Sequence, residues 1–372
     1  MALDHVRDFY HVGATAYDPT DMATTNPMLF FTRFITHFCA PNFVFLSGIS
    51  ANLAGLKRSK NELSAFLIKR GLWLIAVELV LITFALTLNP FYNLIILQVI
   101  WAIGFSMVLL GLIIKAPVKV IGLIGLFIVL FHNLLDYVNP PEAGVGLALT
   151  QLFFTARGSI IPIANNHLIL ALYAVIPWTG VMFMGYASGS LFHTEITPLK
   201  RKRTFLYLGG SMIMLFMILR FINAYGDPSS WSVQKNAIYS FMSFINTTKY
   251  PPSLLYVCMT VGPALIALAF LENTKGKIRN ILIVYGRVPF FYYVCHFYVI
   301  RIVNIIFFYT LGYSSEHINE PGNIFLFRPA SFGYNLGIVY LIWFCIIALL
   351  YIPCKWFMTY KASHNHWWLS YL

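Results

Sequence analysis

Long apolar runs, separated by short polar segments, fill most of the chain. A helix needs about 20 mostly apolar residues to cross the hydrocarbon core of a bilayer. Nine runs qualify, and each of them predicts a membrane-spanning helix. They are Met28–Leu56, Gly71–Leu88, Leu94–Ile114, Val120–Val138, Leu168–Phe192, Phe205–Ile222, Leu254–Leu271, Ile281–Leu311 and Leu336–Met358. The pattern therefore predicts an all-α fold: a polytopic integral membrane helix bundle that forms one domain over residues 1–372.

Basic residues lie between these runs in an alternating pattern. Cytoplasmic loops of membrane proteins carry an excess of Lys and Arg. Here the basic groups follow every second run, so they share one side of the membrane if the nine runs alternate. They are Lys57, Arg58, Lys60, Lys69, Arg70, Lys115, Lys119, Lys200, Arg201, Lys202, Arg203, Lys275, Lys277, Arg279, Lys355 and Lys361. We expect that side, together with the C-terminus, to be cytoplasmic.

This orientation bears on the start of the chain. Met28–Leu56 then begins outside the membrane, so residues 1–27 either start outside or follow a helix that came from the cytoplasm. The first five residues are typical of the outer end of such a helix with its first turns missing. We therefore expect nine full spans plus a truncated first helix, a ten-helix design. The alternative is a short external or re-entrant N-terminus.

Composition narrows the class of protein. Of the 372 residues, 59% are hydrophobic and only 10% are charged, whereas soluble domains average about 25% charged. This balance excludes a soluble enzyme. It also excludes a nucleic-acid-binding protein, in spite of a net charge of +12, because the basic residues lie in short loops between apolar runs. The 5 cysteines include no Cys-x-x-Cys pair, so neither a disulfide framework nor a zinc site is indicated, and no metal is expected.

Ionisable residues inside apolar segments are costly and usually serve a function. Such residues occur at the end of the first helix, early in the first full run and along the eighth run. They are Asp4, His5, Arg7, Asp8, His11, Arg33, His37, Arg287, His296 and Arg301. Helical spacing places Asp4, Asp8 and His11 on one face. A histidine beside a carboxylate suits general-base catalysis. It suits proton-coupled transport equally, so both functions stay open on these residues alone.

Five segments together resemble a known family. They are Met-Ala-Leu-Asp-His-Val-Arg-Asp-Phe (1–9), Thr-Arg-Phe-Ile-Thr-His-Phe-Cys-Ala-Pro-Asn-Phe-Val-Phe-Leu-Ser-Gly (32–48), Pro-Trp-Thr-Gly-Val-Met (177–182), Tyr-Gly-Arg-Val-Pro-Phe-Phe-Tyr-Tyr-Val-Cys-His-Phe-Tyr (285–298) and Trp-Trp-Leu-Ser-Tyr-Leu (367–372). Over nearly its whole length the chain resembles the bacterial branch of the heparan-α-glucosaminide N-acetyltransferase catalytic-domain family, within the transmembrane acyltransferase superfamily. The resemblance implies an enzyme of the bacterial cytoplasmic (inner) membrane. It would move an acyl group, with acetyl expected, from cytoplasmic acyl-CoA to an extracytoplasmic sugar or glycan acceptor.

The resemblance also implies which residues carry the reaction. His5 matches a histidine that the superfamily places in its first helix, and we expect it to be the base or a transient acyl carrier, oriented by Asp8. His11 is the second candidate, as the loop histidine before the Pro-x-Phe-x-Phe stretch at 41–45. His37 stands where eukaryotic members have an aspartate. The choice among the three histidines stays open.

Other residues are expected to support the reaction. We expect Asp4, Arg33, His37 and His296 to support the reaction, either through hydrogen bonds to the reacting groups or by binding the acceptor. Arg70 and Arg287 are candidates for the CoA phosphates, because guanidinium groups match phosphate geometry; the alternative is that they anchor helices at the membrane interface. Expected partners are membrane lipid, acyl-CoA and the glycan acceptor, with no nucleic acid, and a homo-oligomer stays open. The runner-up function is a proton-coupled transporter or permease for a polar solute or glycolipid.

Overall fold

A computed structural model describes residues 1–14, 16–164, 166–272, 274–320 and 324–371 of the protein. Most of this part of the chain is helical. In chain order the helices are α1 (Ala2–Tyr10), α2 (Pro27–His37), α3 (Cys39–Ala54), α4 (Lys60–Val77), α5 (Thr83–Thr87), α6 (Val99–Ile113), α7 (Val118–Phe131), α8 (Gly144–Thr150), α9 (Val175–Ser188), α10 (Pro198–Ile222), α11 (Ala237–Ile245), α12 (Leu254–Leu271), α13 (Lys277–Arg287), α14 (Pro289–Thr310) and α15 (Leu336–Ser363).

Six helical stretches in the described residues are long and apolar enough to cross a membrane. They are Pro27–Lys57, Val118–Tyr137, Pro198–Ile222, Leu254–Leu271, Pro289–Thr310 and Leu336–Ser363. The predicted α-helical membrane protein is thereby confirmed. The predicted count of nine full spans is not reached among these residues, and the ten-helix design stays a prediction.

Two of the predicted spans begin as strands. The run Leu168–Phe192 opens within β3 (His167–Ala171), and the run Leu94–Ile114 opens with β1 (Leu94–Leu97). The prediction of one continuous helix in each of these two runs was therefore wrong. A short apolar run suits a buried strand as well as a helix, so the pattern alone could not separate them. The helices that follow, α9 and α6, have only 14 and 15 residues.

The strands form a small sheet in the order β1-β3-β2, with β2 at Ser159–Ala164. β2 and β3 are antiparallel, with Ser159 opposite Ala171. Directly after β3, the backbone N–H of Leu172 donates a hydrogen bond of 3.2 Å to the carbonyl oxygen of Leu97, the last residue of β1. The backbone groups of these apolar residues are therefore paired between strands instead of within a helix.

Two other predicted spans are interrupted close to a proline. The run Ile281–Leu311 is split at Val288, where α13 ends and α14 begins with Pro289. Proline has no N–H and disfavours the α conformation in the residue before it, so the helix restarts there. The run Met28–Leu56 is likewise divided into α2 and α3 around Phe38, with Pro41 in the first turn of α3.

The chain divides into two compact units. Unit 1 consists of Met1–Thr36, Val80–Leu94 and Thr274–Leu372, and unit 2 consists of His37–Leu79 and Ile95–Asn273. In unit 1, α1 packs against α14 and α15, and α13 packs against α15. A cluster of apolar side chains forms part of its core: Val284, Val288, Cys354, Phe357 and Leu369. The prediction of a single domain over the whole chain stays a prediction.

Unit 2 is built from helix pairs that meet at glycines. The pairs are α4 with α6, α3 with α9, α7 with α9 and α10 with α12. A Cβ atom added to Gly48 would lie 2.1 Å from Met182 O, and one added to Gly185 would lie 2.0 Å from Phe45 O. Small residues let membrane helices approach closely, and only glycine fits these positions of α3 and α9.

Candidate functional site

Two ionisable residues of α1, Asp4 and Arg7, lie in the interior of unit 1, whereas the side chain of Asp8 is 37% exposed. Asp4 and Arg7 are only 8% and 6% exposed, because the helix packs against α14 and α15. Residues three or four positions apart lie on the same face of a helix. This places Asp4 beside Asp8, as the spacing predicts, and beside Arg7; His11, predicted on the same face, follows the end of the helix with an extended backbone.

The charges in this group are paired. Asp4 Oδ2 accepts a hydrogen bond from Nη1 of Arg33 in α2, and Asp4 Oδ1 lies 3.1 Å from Nη2 of Arg7. The same Nη2 of Arg7 donates to Asp8 Oδ1 at 2.5 Å. Two carboxylates and two guanidinium groups therefore form one network. Such pairing makes charged side chains tolerable in a water-poor interior.

Two histidines meet beside the network. The rings of His5 and His296 are 5.4 Å apart between centroids, and the ring of Phe297 lies 4.4 Å from that of His5. His5 Nδ1 is 3.9 Å from Asp8 Oδ2, a distance that permits electrostatic attraction but is too long for a hydrogen bond. Of the predicted site residues, the structure thus brings together His5, Asp8, Asp4, Arg33 and His296.

His296 is fully buried, and its hydrogen bonding indicates its tautomer. Nδ1 lies 2.5 Å from Tyr293 O. A carbonyl oxygen only accepts, so we assign the proton of the neutral ring to Nδ1 and the lone pair to Nε2. Nε2 has no hydrogen-bond partner among the described residues. It is therefore able to accept a hydrogen bond from a hydroxyl or amine.

An arginine far away in sequence holds the end of α1. Arg328 Nε donates to Asp8 O and its Nη2 donates to His11 O, both at 2.9 Å. Arg301 of α14 in turn donates to Leu326 O at 2.6 Å, and its guanidinium lies over the ring of Phe9. The role of Arg328 was missed from the sequence, since it lies in a loop without hydrophobic periodicity.

The remaining predicted residues lie elsewhere. His11 follows the last turn of α1, where burial and the positive charges of Arg7 and Arg328 lower its pKa. His37 belongs to unit 2, where its ring meets the edge of Tyr256 at 5.6 Å between centroids.

The two arginines predicted for the CoA phosphates also have different surroundings. Arg70, in α4 of unit 2, is half-buried and lies 5.9 Å from the ring centre of Phe66. Its Nε is buried without a hydrogen-bond partner among the described residues. Arg287 is the exposed last residue of α13 in unit 1. In the described part of the chain, no group of three or more His, Cys, Asp or Glu side chains is placed to bind a metal ion.

Comparison with protein families decides the relationship. Residues 9–222 match the model of the family described as heparan-α-glucosaminide N-acetyltransferase, catalytic. The chain belongs to this family. The predicted family is confirmed, and membership of the heparan-α-glucosaminide N-acetyltransferase family indicates a membrane enzyme of the acetyltransferase type. A search among curated proteins finds no match.

The match covers some of the candidates and not others. His11, Arg33, His37 and Arg70 fall within residues 9–222. Asp4, His5, Asp8, His296 and Arg287 lie outside that range. The case for His5 and His296 therefore rests on their geometry.

Proposed function

We propose that this member of the heparan-α-glucosaminide N-acetyltransferase family transfers an acyl group from cytoplasmic acyl-CoA to an extracytoplasmic sugar or glycan, acetyl being the expected group. The observation that carries the proposal is the pair of histidines, His5 and His296, next to the Asp–Arg network in unit 1. Acyl transfer needs a base, an acceptor-binding group and cationic donors near the developing oxyanion. In this cluster His5, His296 and Arg33 are the candidates for these three roles.

His5 is proposed as the base. The nitrogen or oxygen of the acceptor attacks the thioester carbonyl, its proton passes to His5, the carbon–sulfur bond breaks and CoA leaves as thiolate. Asp8, 3.9 Å from the His5 ring, stabilises the imidazolium that forms. The same position also suits a route in which His5 carries the acyl group before the acceptor receives it. His11 is the second candidate for this role.

Supporting roles follow from the remaining contacts. The Nε2 lone pair of His296 is proposed to accept a hydrogen bond from the acceptor. Arg33 is proposed to stabilise negative charge on the transferred carbonyl, with its direction set by Asp4. His37, whose surroundings are those of unit 2, is proposed as a further acceptor-binding group. Arg70 and Arg287 are proposed to bind the phosphates of acyl-CoA.

The proposed donor side is the side of the basic loops. The alternating Lys and Arg groups support a cytoplasmic location for these loops and for the C-terminus. The same pattern of basic residues, together with the resemblance to the bacterial branch of the family, is our reason for proposing a bacterial cytoplasmic membrane as the location of the protein. Acyl-CoA and membrane lipid are the partners that this location supplies.

The test is transfer of labelled acetyl groups by purified protein in sealed vesicles. Acetyl-CoA is supplied on one side, and a panel of amino sugars and neutral glycans on the other. We expect CoA release and a labelled sugar only when donor and acceptor face the proposed sides. Vesicles with the protein in the opposite orientation, separated by protease accessibility of the C-terminus, serve as the control. Movement of a solute without any need for acetyl-CoA would contradict the proposal and favour the transporter.

A further inference from the structure

Unit 2 contains a buried lysine that the proposed reaction does not use. Lys249 lies in the segment between α11 and α12 and is only 8% exposed. Its Nζ is 4.9 Å from the ring centre of Tyr250 and 5.7 Å from that of Tyr173. Within the described residues the ammonium forms no ion pair and no hydrogen bond. A lysine whose side chain is largely buried without a negative partner is costly and is usually retained for a function.

The lysine belongs to a group of aromatic side chains. The rings of Tyr250 and Tyr173 are 5.2 Å apart, Tyr173 and Trp178 are 5.1 Å apart, and Trp178 and Tyr256 are 6.4 Å apart between centroids. We call Lys249, Tyr250, Tyr173, Trp178 and Tyr256 the Lys249 cluster. Trp178 is fully buried, and its indole N–H has no acceptor among the described residues. The cluster therefore contains two donors with no acceptor in the described chain, the buried indole N–H of Trp178 and the ammonium at the end of the largely buried Lys249 side chain.

The acidic residue that organises this segment is fully used by other donors. Asp227 accepts hydrogen bonds from Thr248 N at 2.8 Å, Thr248 Oγ1 at 2.9 Å and Ser253 Oγ at 2.6 Å. These bonds fix the backbone on both sides of Lys249. In the described part of the chain, Asp227 forms no ion pair with the ammonium of Lys249. The position of Lys249 is thus built into the loop, while its charge is left for a ligand.

We propose that the Lys249 cluster is a binding site for an anionic ligand, a carboxylate or a phosphate, that also presents an apolar face. Lysine ammonium and indole N–H groups only donate, so the ligand must supply acceptors. Tyrosine and tryptophan rings supply apolar walls. Sugar acids and sugar phosphates combine an acidic group with the C–H face of a pyranose ring, and both have the required chemistry. Tyr256 of the cluster also contacts His37, but an anionic ligand at Lys249 goes beyond the acyl transfer proposed above, which does not require it.

The test is direct binding, measured by tryptophan fluorescence and calorimetry on the full chain in detergent. The probes are D-glucuronate for the carboxylate, D-glucose 6-phosphate for the phosphate, and D-glucose and inorganic phosphate as matched compounds that lack one of the two features. We expect at least one acidic sugar to bind more tightly than glucose and than inorganic phosphate. Lys249→Met should weaken this binding by about tenfold or more, and Lys249→Arg should retain most of it.

Lys235→Met is the matched control. Lys235 also lies over a tyrosine ring, 3.8 Å from the ring centre of Tyr239, but it is exposed. Its substitution should leave binding unchanged. The inference is overturned if none of the probes binds, if glucose binds as tightly as the acidic sugars, or if Lys249→Met and Lys249→Arg bind them as the unmodified protein does. Equal binding of inorganic phosphate would overturn the requirement for an apolar face. Acidic-sugar binding without acyl transfer would support the site and count against the proposed enzyme.

Discussion

Single residues hold the end of α1 in place. A helix leaves its last carbonyl groups without partners inside the helix. In α1, Arg328 donates to the carbonyls of Asp8 and His11, and Tyr334 N donates to Tyr10 O at 2.7 Å. The helix that carries His5 is therefore positioned by residues about three hundred positions later in the chain. Arg328 is in this sense a positioning residue.

Arg328→Met should destabilise the protein. The change leaves the carbonyls of Asp8 and His11 without their charged donor, which we expect to cost about 2–4 kcal/mol. Thermal unfolding in detergent measures this loss, and hydrogen exchange should be faster in the last turn of α1. Arg157→Met is the control: its side chain is 51% exposed in an ion pair with Asp136, so its effect should stay below about 1 kcal/mol. Equal effects of the two substitutions would contradict the role of Arg328.

His11 should make stability depend on pH. Burial, and then the charges of Arg7 and Arg328, lower the pKa of His11 in the folded protein from its ordinary value of 6.5. The unfolded chain then binds a proton more readily than the folded one, so stability is lost as pH falls through the unfolded pKa. Between about pH 7.5 and pH 5.5, the melting temperature of the unmodified protein should fall more than that of His11→Asn. Parallel pH dependence in the two proteins would contradict this.

The sequence predicted part of the site because part of it is local. Helical spacing places Asp4 and Asp8 on one face of α1. Their proximity to His5 follows because all three residues belong to that helix. The contact of His5 with His296 joins positions almost three hundred residues apart, and neither helical spacing nor the resemblance to a family predicted that contact. No local signal pointed to Arg328. Hydrogen bonds between a loop arginine and backbone carbonyls leave no periodic trace in a sequence.

At the scale of elements, glycine pairs determine how closely the helices of unit 2 approach. A Cβ added to Gly209 of α10 would lie 2.6 Å from Gly262 O of α12. A Cβ added to Gly71 of α4 would lie 2.5 Å from Gly104 O of α6. Backbone meets backbone at these crossings. Membrane helices gain packing energy from such close approach, since lipid already surrounds their apolar side chains.

Two neighbouring glycines of α10 allow a matched test. Gly209→Ala forces α10 and α12 apart and should cost about 1–3 kcal/mol of stability. Gly210→Ala places its methyl group where no atom lies within 4 Å, and it should be neutral or stabilise the helix by up to about 1 kcal/mol. Unfolding of the two purified variants in the same detergent measures the difference. Similar stability of both would contradict the close crossing.

Hydrophobic runs predicted the elements less completely than they predicted the class of fold. Leu254–Leu271 is one helix with the predicted bounds. The residues of β1 and β3 are as apolar as a helix core, and their pairing with another strand depends on residues outside the run. The break between α13 and α14 at Val288 has a local cause, the proline that follows. Because proline is common in the first turn of a helix, Pro289 could have predicted this break from the sequence.

At the scale of the whole molecule, the family and the geometry contribute different parts of the account. The family model matches residues 9–222 and indicates acetyltransferase chemistry. The histidine pair and the Asp–Arg network lie in unit 1, in segments from both ends of the chain; the unit also includes Val80–Leu94. Their proposed part in catalysis is the central claim, because it assigns the chemistry to named atoms.

The most direct test of that claim is the rate of labelled acetyl transfer by His5→Gln, compared with the unmodified protein and with His364→Gln. His364 is an exposed residue that stacks on Tyr360 of α15, and its substitution should leave the rate unchanged. Loss of a general base should lower kcat by about a hundredfold or more, with the melting temperature unchanged. Full turnover by a folded His5→Gln protein would contradict the account, and loss of turnover in His11→Gln alone would move the base to His11.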